Sequence, residues 1–507
     1  MKIPIIFAIV LLFSVTAYNP HEGCSHVKHP EPTLMDVQEE FLSAKSRVMA
    51  TATYPQIRMA ADYTNLLQGS DTFKSYVQNS LVPLVMTYYQ NALQVKQPLT
   101  APIKASTSTL CGYTTPSVLL SGVNADFFVM VSSTNDSTSN WVASAGACTL
   151  SSTTKRPVIA TMLFNLYYTA APAGDPLIHE KNMYLTMHEM LHALGFTQSS
   201  FANFIDANGT TLTGQLKTAT LNGSTRLVLD VEPLTTMLRT YYGCSTLPGA
   251  FLENDGGSGT AGSHFERRHF LYEVMTSGVI QGLRISPFSL AVMEGSGWYL
   301  PNYTYADPFF AGKGEGCGYL YTACNSSDIL NYDEFCNATT DTRGCAAVGI
   351  AGGVCSADSR SDGCQYYIPV ISYDCQSPGA SSYARFPSKE VYSRTGNSMC
   401  FNGNMSTLKS STDTSMCFQY VCTGSGLNTA VMVLVGSTYY TCSKEGNISV
   451  SGYYGYIYCP DPLTFCSTAG QTTCPRNCMG RGTCVNNQCV CKTGFSGIDC
   501  AMDAYTG

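Results

Sequence analysis

The sequence predicts an α+β protein, and three observations carry that expectation. Strand-like runs fill the stretch from Thr53 to Ala170, a helical stretch follows from Glu180 to Leu194, and from Cys317 onward the chain is dense in cysteine. Sheet and helix kept apart along the chain are the mark of an α+β layer arrangement. A length of 507 residues allows two or more domains and a large core in at least one of them.

Residues 1–17, MKIPIIFAIVLLFSVTA, have a short basic start, an apolar run and a small-residue exit at Val15, Thr16 and Ala17. This is the form of a cleaved secretory signal, and the run is shorter than the ~20 residues a spanning helix needs. No later run is long and apolar enough to span, and GIDCAMDAYTG at the end lacks a lipid-anchor tail. The expectation is a secreted or lysosome-like location.

Composition agrees. Charged residues are only 12%, against an average of about 25%. A net charge of −7 without any Lys/Arg cluster gives no support to nucleic-acid binding. Eight Asn-x-Ser/Thr sequons, at Asn135, Asn208, Asn222, Asn302, Asn325, Asn337, Asn404 and Asn447, fit a glycosylated secretory protein. The 23 cysteines imply a disulfide framework, and their odd number leaves at least one without an intramolecular partner.

Along the chain, Met35, Val37, Phe41 and Leu42 suggest an amphipathic helix from Thr33 to Ala44 in a separate small segment. Strands are expected at IRMAADY from Ile57, ADFFVMVSS from Ala125 and RPVIATMLF from Arg156, all rich in sheet-forming residues. Cys111 and Cys148 flank the middle strand and are expected to pair. In the helix, Met187, Leu191 and Leu194 form a core face, with His188, Glu189 and His192 on the other side. Gly195 terminates it, because glycine adopts positive φ without steric cost.

That helix carries HEMLHALGF, residues 188–196. His188 and His192, four apart, face one way and can bind one zinc ion, while Glu189 can act as the base for water without being a ligand. HExxHxxG resembles the metzincin pattern, whose compact form would put a third histidine at position 198, where Gln198 stands. In another zinc class a later Glu is the third ligand, which nominates Glu232 or Glu273. His264 and His269 are the histidine candidates, and Glu266 reads as solvated or salt-bridged.

GSHFERRHFLYEVM from Gly262 resembles the leishmanolysin family, in which an insertion separates the turn glycine from the third histidine. The methionine beneath the zinc follows that histidine at the spacing of His264 and Met275, which favours His264 over His269. GVNADFFVMVSS, RPV and the Cys-rich region extend the resemblance to most of the chain. It implies a zinc endopeptidase with one catalytic ion, acting on proteins or peptides. It also implies a metzincin-type fold: a twisted sheet over the active-site helix, with two subdomains around a cleft, then a disulfide-rich domain.

CPRNCMGRGTCVNNQCVCKTGFSGIDC, residues 474–500, resembles an EGF-like module. The resemblance implies pairing of Cys474 with Cys484, Cys478 with Cys489 and Cys491 with Cys500, and cell-surface or matrix contacts. The expected division is a signal peptide (1–17), propeptide (18–50), N-terminal catalytic subdomain (51–196), insertion (197–263), third-ligand and Met-turn subdomain (264–316), Cys-rich domain (317–470) and EGF-like module (471–507). In the propeptide, the Cys24 thiolate could fill the fourth zinc position and hold the enzyme latent, and losing Cys24 would leave an even 22 cysteines. An extra disulfide or an intermolecular thiol is the other reading of Cys24. The competing function is an inert adhesion protein on a peptidase scaffold; against it, all four motif residues are intact.

Overall fold

The computed structural model describes residues 31–41, 54–278, 282–341, 343–346, 349, 351–375, 398–405, 415–469, 475–485, 488–497 and 499–506. The expected signal segment, Cys24 and Cys474 lie outside the described residues.

A five-stranded sheet is built from β1 (Thr33–Met35), β2 (Met59–Asn65), β3 (Phe127–Thr134), β4 (Ala143–Ser151) and β5 (Pro157–Asn165), in the order β1-β4-β5-β3-β2. Only the β4–β5 pairing is antiparallel. β3 and β5 are buried along nearly their whole length, as expected of parallel strands covered on both faces. Cys111 is disulfide-bonded to Cys148 on β4.

Thr33–Met35 is a strand that pairs with β4 of this sheet, and no helix covers residues 33–41, where the spacing suggested one; residues 42–44 of that expected helix lie outside the described residues. Burial of the Glu39 carboxylate outweighs the weak helical stripe. Its oxygens accept from Ser151 Oγ at 2.7 Å and Thr154 Oγ1 at 2.8 Å, with the buried Arg156 guanidinium 3.8 Å away. A buried charge needs such partners, and these exist only if the segment is docked.

Between β2 and β3 the chain forms helices as well as short strands. Asp71–Tyr76, a π-helical turn at Val77–Leu81 and α1 (Val82–Ala92) follow one another. The HEMLH helix, α2 (Pro176–Leu194), packs against β4 and β5. It is more deeply enclosed than a two-faced helix, since His188, Glu189 and His192 are as buried as Met187, Leu191 and Leu194.

The stretch after Gly195 is folded. Leu216–Leu221 and Ser224–Leu229 form a hairpin turning at Asn222 and Gly223, whose φ values of 49° and 78° suit the Asn-Gly turn chemistry. A third short strand, Ala250–Phe251, and the helix Leu234–Tyr242 complete it.

Beyond Cys317 the structure is mainly antiparallel sheet, with three-stranded and four-stranded sheets bridged by Cys345–Cys400. The other pairs are Cys324–Cys364, Cys336–Cys355, Cys375–Cys417, Cys422–Cys466 and Cys442–Cys459, while Cys317 reaches back to Cys244. In the terminal module Cys478 pairs with Cys489 and Cys491 with Cys500; Cys484 is also disulfide-bonded. Met479 and Ala501 of this module lie in the same apolar core as α2. Among the described residues no helix is long and apolar enough to cross a membrane.

Candidate active site

The site starts from the helical repeat. On α2, His188 and His192 stand one turn apart with Nε2 atoms 2.9 Å from each other. His264 arrives from 72 residues beyond His192, and its Nε2 is 3.2 Å from that of His192 and 3.3 Å from that of His188. Two nitrogens bound at 2.0–2.1 Å to one tetrahedral ion would be about 3.3 Å apart. The triangle therefore fits a single zinc-sized ion.

The other ring nitrogens explain why all three Nε2 atoms converge. His188 Nδ1 lies 2.5 Å from the Val274 carbonyl, His192 Nδ1 2.6 Å from that of Phe196, and His264 Nδ1 2.9 Å from that of Thr260. A carbonyl only accepts, so each Nδ1 carries a proton, and that tautomer of the neutral ring presents its Nε2 lone pair inward. Imidazole sets of this kind suit zinc.

Gly195 shapes the exit from α2. Its φ is 124°, and a Cβ there would stand 2.7 Å from Trp298 Cζ3. The chain can thus turn sharply enough for the Phe196 carbonyl to reach back to His192. Glu189, beside His188, is wholly buried. Met275 is also buried; its carbonyl accepts the Phe265 N–H at 2.8 Å, tying its turn to the residue after His264.

The alternatives are placed elsewhere. His269 Nε2 bonds to the Leu320 carbonyl at 2.9 Å, and burial pushes its pKa well below the usual histidine range. Glu273 is engaged with Met275, Ser286 and Ser289, and Glu232 faces the Thr236 N–H. Glu266 is buried rather than solvated: its carboxylate caps the short helix Arg267–Phe270, and burial raises its pKa well above the ordinary value. Sequence reasoning missed the three Nδ1 acceptors, which are main-chain atoms and leave no signal in residue identity.

A histidine pair on one helix, joined by a distant third histidine beside a buried methionine turn, defines a metallopeptidase-type scaffold. The family model described as leishmanolysin matches residues 70–473, and a tenascin EGF domain model matches residues 473–501. The chain belongs to the leishmanolysin family of metallopeptidases. It is 30% identical over 368 residues to the ciliated left-right organizer metallopeptidase of Mus musculus, covering 66% of this chain and 50% of that one. It is 34% identical over 177 residues to the leishmanolysin-like peptidase of Drosophila melanogaster, covering 29% and 26%. The chain thus spans about half the length, or less, of these curated relatives.

Proposed function

We propose that this chain is a secreted zinc endopeptidase in which His188, His192 and His264 hold the ion, Met275 forms the floor of the site and Glu189 is the general base. One observation carries the reading: three Nε2 atoms within 3.3 Å of one another, each ring fixed by a main-chain carbonyl at its other nitrogen. When bound, zinc would supply Lewis acidity, bringing a water pKa to about 7 and polarising the scissile carbonyl.

Glu189 follows His188 directly on α2, so the fold that aims the ligand also aims the base. Its carboxylate takes the proton of the attacking water and later gives it to the leaving amine. The ring-to-carbonyl bonds keep the histidines in place without rearrangement during the reaction. Substrates are proteins or peptides, and the metallopeptidase names of the relatives support this class.

The disulfides support an oxidising, secretory route. Latency through Cys24 follows as part of the same reading. Removal of the N-terminal segment would then have to extract Glu39 from its bonds to Ser151 and Thr154. Val485 and Val490, exposed on the hairpin of the EGF-like module, support contacts with a cell surface or matrix.

The test is zinc content measured beside chelator-sensitive cleavage of an unstructured protein, for the wild type and Glu189→Ala. Expected are about one zinc per chain in both and cleavage by the wild type alone. Zinc without wild-type cleavage, after removal of the N-terminal segment, would favour an inert adhesion scaffold. Loss of zinc in Glu189→Ala would contradict its role as base. Cys24→Ala should make the unprocessed chain active; an inactive product sinks the latency reading.

A further inference from the structure

We infer that Glu273 is a positioning residue for His188, acting through a single peptide plane, an inference that rests on the reading of the three histidines as zinc ligands. Glu273 is wholly buried, and one of its oxygens, Oε2, accepts the Met275 N–H. The other, Oε1, accepts the Ser286 N–H at 3.2 Å, Ser286 Oγ at 2.8 Å and Ser289 Oγ at 2.6 Å. Four donors converging on one carboxylate leave it a single arrangement.

The Met275 N–H and the Val274 carbonyl belong to the same peptide group. That group is planar, with N–H and C=O pointing in opposite directions. Holding the N–H on Glu273 therefore fixes the direction of the carbonyl, and that carbonyl receives His188 Nδ1–H at 2.5 Å. The Val274 N–H, bonded to the Arg284 carbonyl at 2.7 Å, fixes the preceding peptide as well.

The result is a relay of contacts from carboxylate to peptide to imidazole. The oxygen acceptor on the N–H side also polarises the peptide, making its carbonyl a better acceptor for the ring proton. Ser286 is the N-cap of the helix Pro287–Gly295, so Glu273 ties the methionine turn to the start of that helix. The carboxylate is thus a brace behind the first ligand, not a ligand.

The experiment compares zinc affinity by chelator competition, and the visible spectrum after cobalt(II) substitution, in the full chain. The variants are Glu273→Gln, which keeps one acceptor, and Glu273→Leu, which keeps none. The control is Glu334→Gln, a change at another buried carboxyl group that accepts the Gly312 N–H. The expected order of affinity is wild type, then Gln about 10-fold weaker, then Leu up to about 100-fold weaker, with altered cobalt bands in both.

If Glu273→Leu does not fold, the Gln variant carries the test alone. Wild-type affinity and unchanged cobalt bands in Glu273→Gln overturn the inference. So does an equal loss of affinity in Glu334→Gln, which would mark general destabilisation. A wild-type chain that takes up no zinc instead overturns the zinc-site reading, so the two failures are told apart.

Discussion

The backbone N–H of Gln198 donates to Ser263 Oγ at 3.1 Å, although the two residues are 65 positions apart. Position 198 is where a compact metzincin motif would place its third histidine, and the bond brings the residue before His264 to that place. The inserted stretch leaves the end of α2 and returns to it. Loop closure explains why this is tolerable: its entropic cost grows only with the logarithm of length, and the insertion has its own hairpin and helix.

His264 and His269 can be separated by substitution. His264→Ala should lower zinc affinity by several orders of magnitude, because it removes one of three ring nitrogens, and should abolish cleavage. His269→Ala should leave the metal in place and destabilise the fold by about 1–3 kcal/mol through loss of its bond to the Leu320 carbonyl. Metal analysis and melting curves on both variants check this. Zinc lost only in His269→Ala would reverse the assignment.

Gly195→Ala should be costly despite its small size. The new Cβ would lie 2.7 Å from the buried Trp298 ring, at a φ of 124° that alanine resists. Strain and overpacking together should cost about 2–4 kcal/mol. The turn also directs the Phe196 carbonyl to His192, so zinc affinity should fall with stability. Calorimetry combined with chelator competition measures both effects; a variant unchanged in both would contradict the packing argument.

How much of this was legible follows from which residues carry it. β3 and β5 were visible through their β-branched and aromatic content, and β2 only through Ile57, Met59 and Tyr63 of IRMAADY. β4, reading ASAGACTLS, was not, because small residues give no strand signal and its place depends on pairing with β5. The run LVPLVMTYY has helical spacing at Leu81, Val82, Leu84, Val85, Tyr88 and Tyr89, but Pro83 and the valine and tyrosine content that also suits strands hid the helix over it. Thr33–Met35 was misread because Met35, Val37, Phe41 and Leu42 mimic a helical stripe, whereas Glu39 and the open edge of β4 decide the outcome. The histidines and glycine of the site were legible as a motif with spacing; the carbonyls that orient them, and Glu273 behind them, required the fold.

The EGF-like module should behave as part of the catalytic body. Met479 is fully buried, Ser80 Oγ donates to Asp503 at 2.8 Å, and His179 on α2 contacts the Ala501 carbonyl at 3.2 Å. Met479→Ala should therefore cost about 2–5 kcal/mol and speed hydrogen exchange in the first turns of α2. Exchange mapped by mass spectrometry on the full chain tests this. Faster exchange confined to residues 475–506 would show the module to be an independent bead.

Stability should also carry a pH signature from Glu334. Burial pushes this carboxyl up to about 7 from 4.5, so the folded state favours its protonated form. A folded-state pKa above the unfolded one gives a contribution that is complete below about pH 4.5 and is lost as pH rises through about 7. The loss is at most about 3 kcal/mol, since each pKa unit is worth about 1.4 kcal/mol. Glu334→Gln keeps an acceptor for the Gly312 N–H, bonded at 2.6 Å, but cannot ionise. Its melting temperature relative to the wild type should therefore increase steadily from pH 4.5 to 7.5, because only the wild type must bury a charge at the upper end. Buried histidines with lowered pKa values, His179 and His269, act in the opposite sense on acidification in both proteins and cancel from the difference. A difference that stays constant across that range would show that Glu334 ionises as freely in the fold as in the unfolded chain.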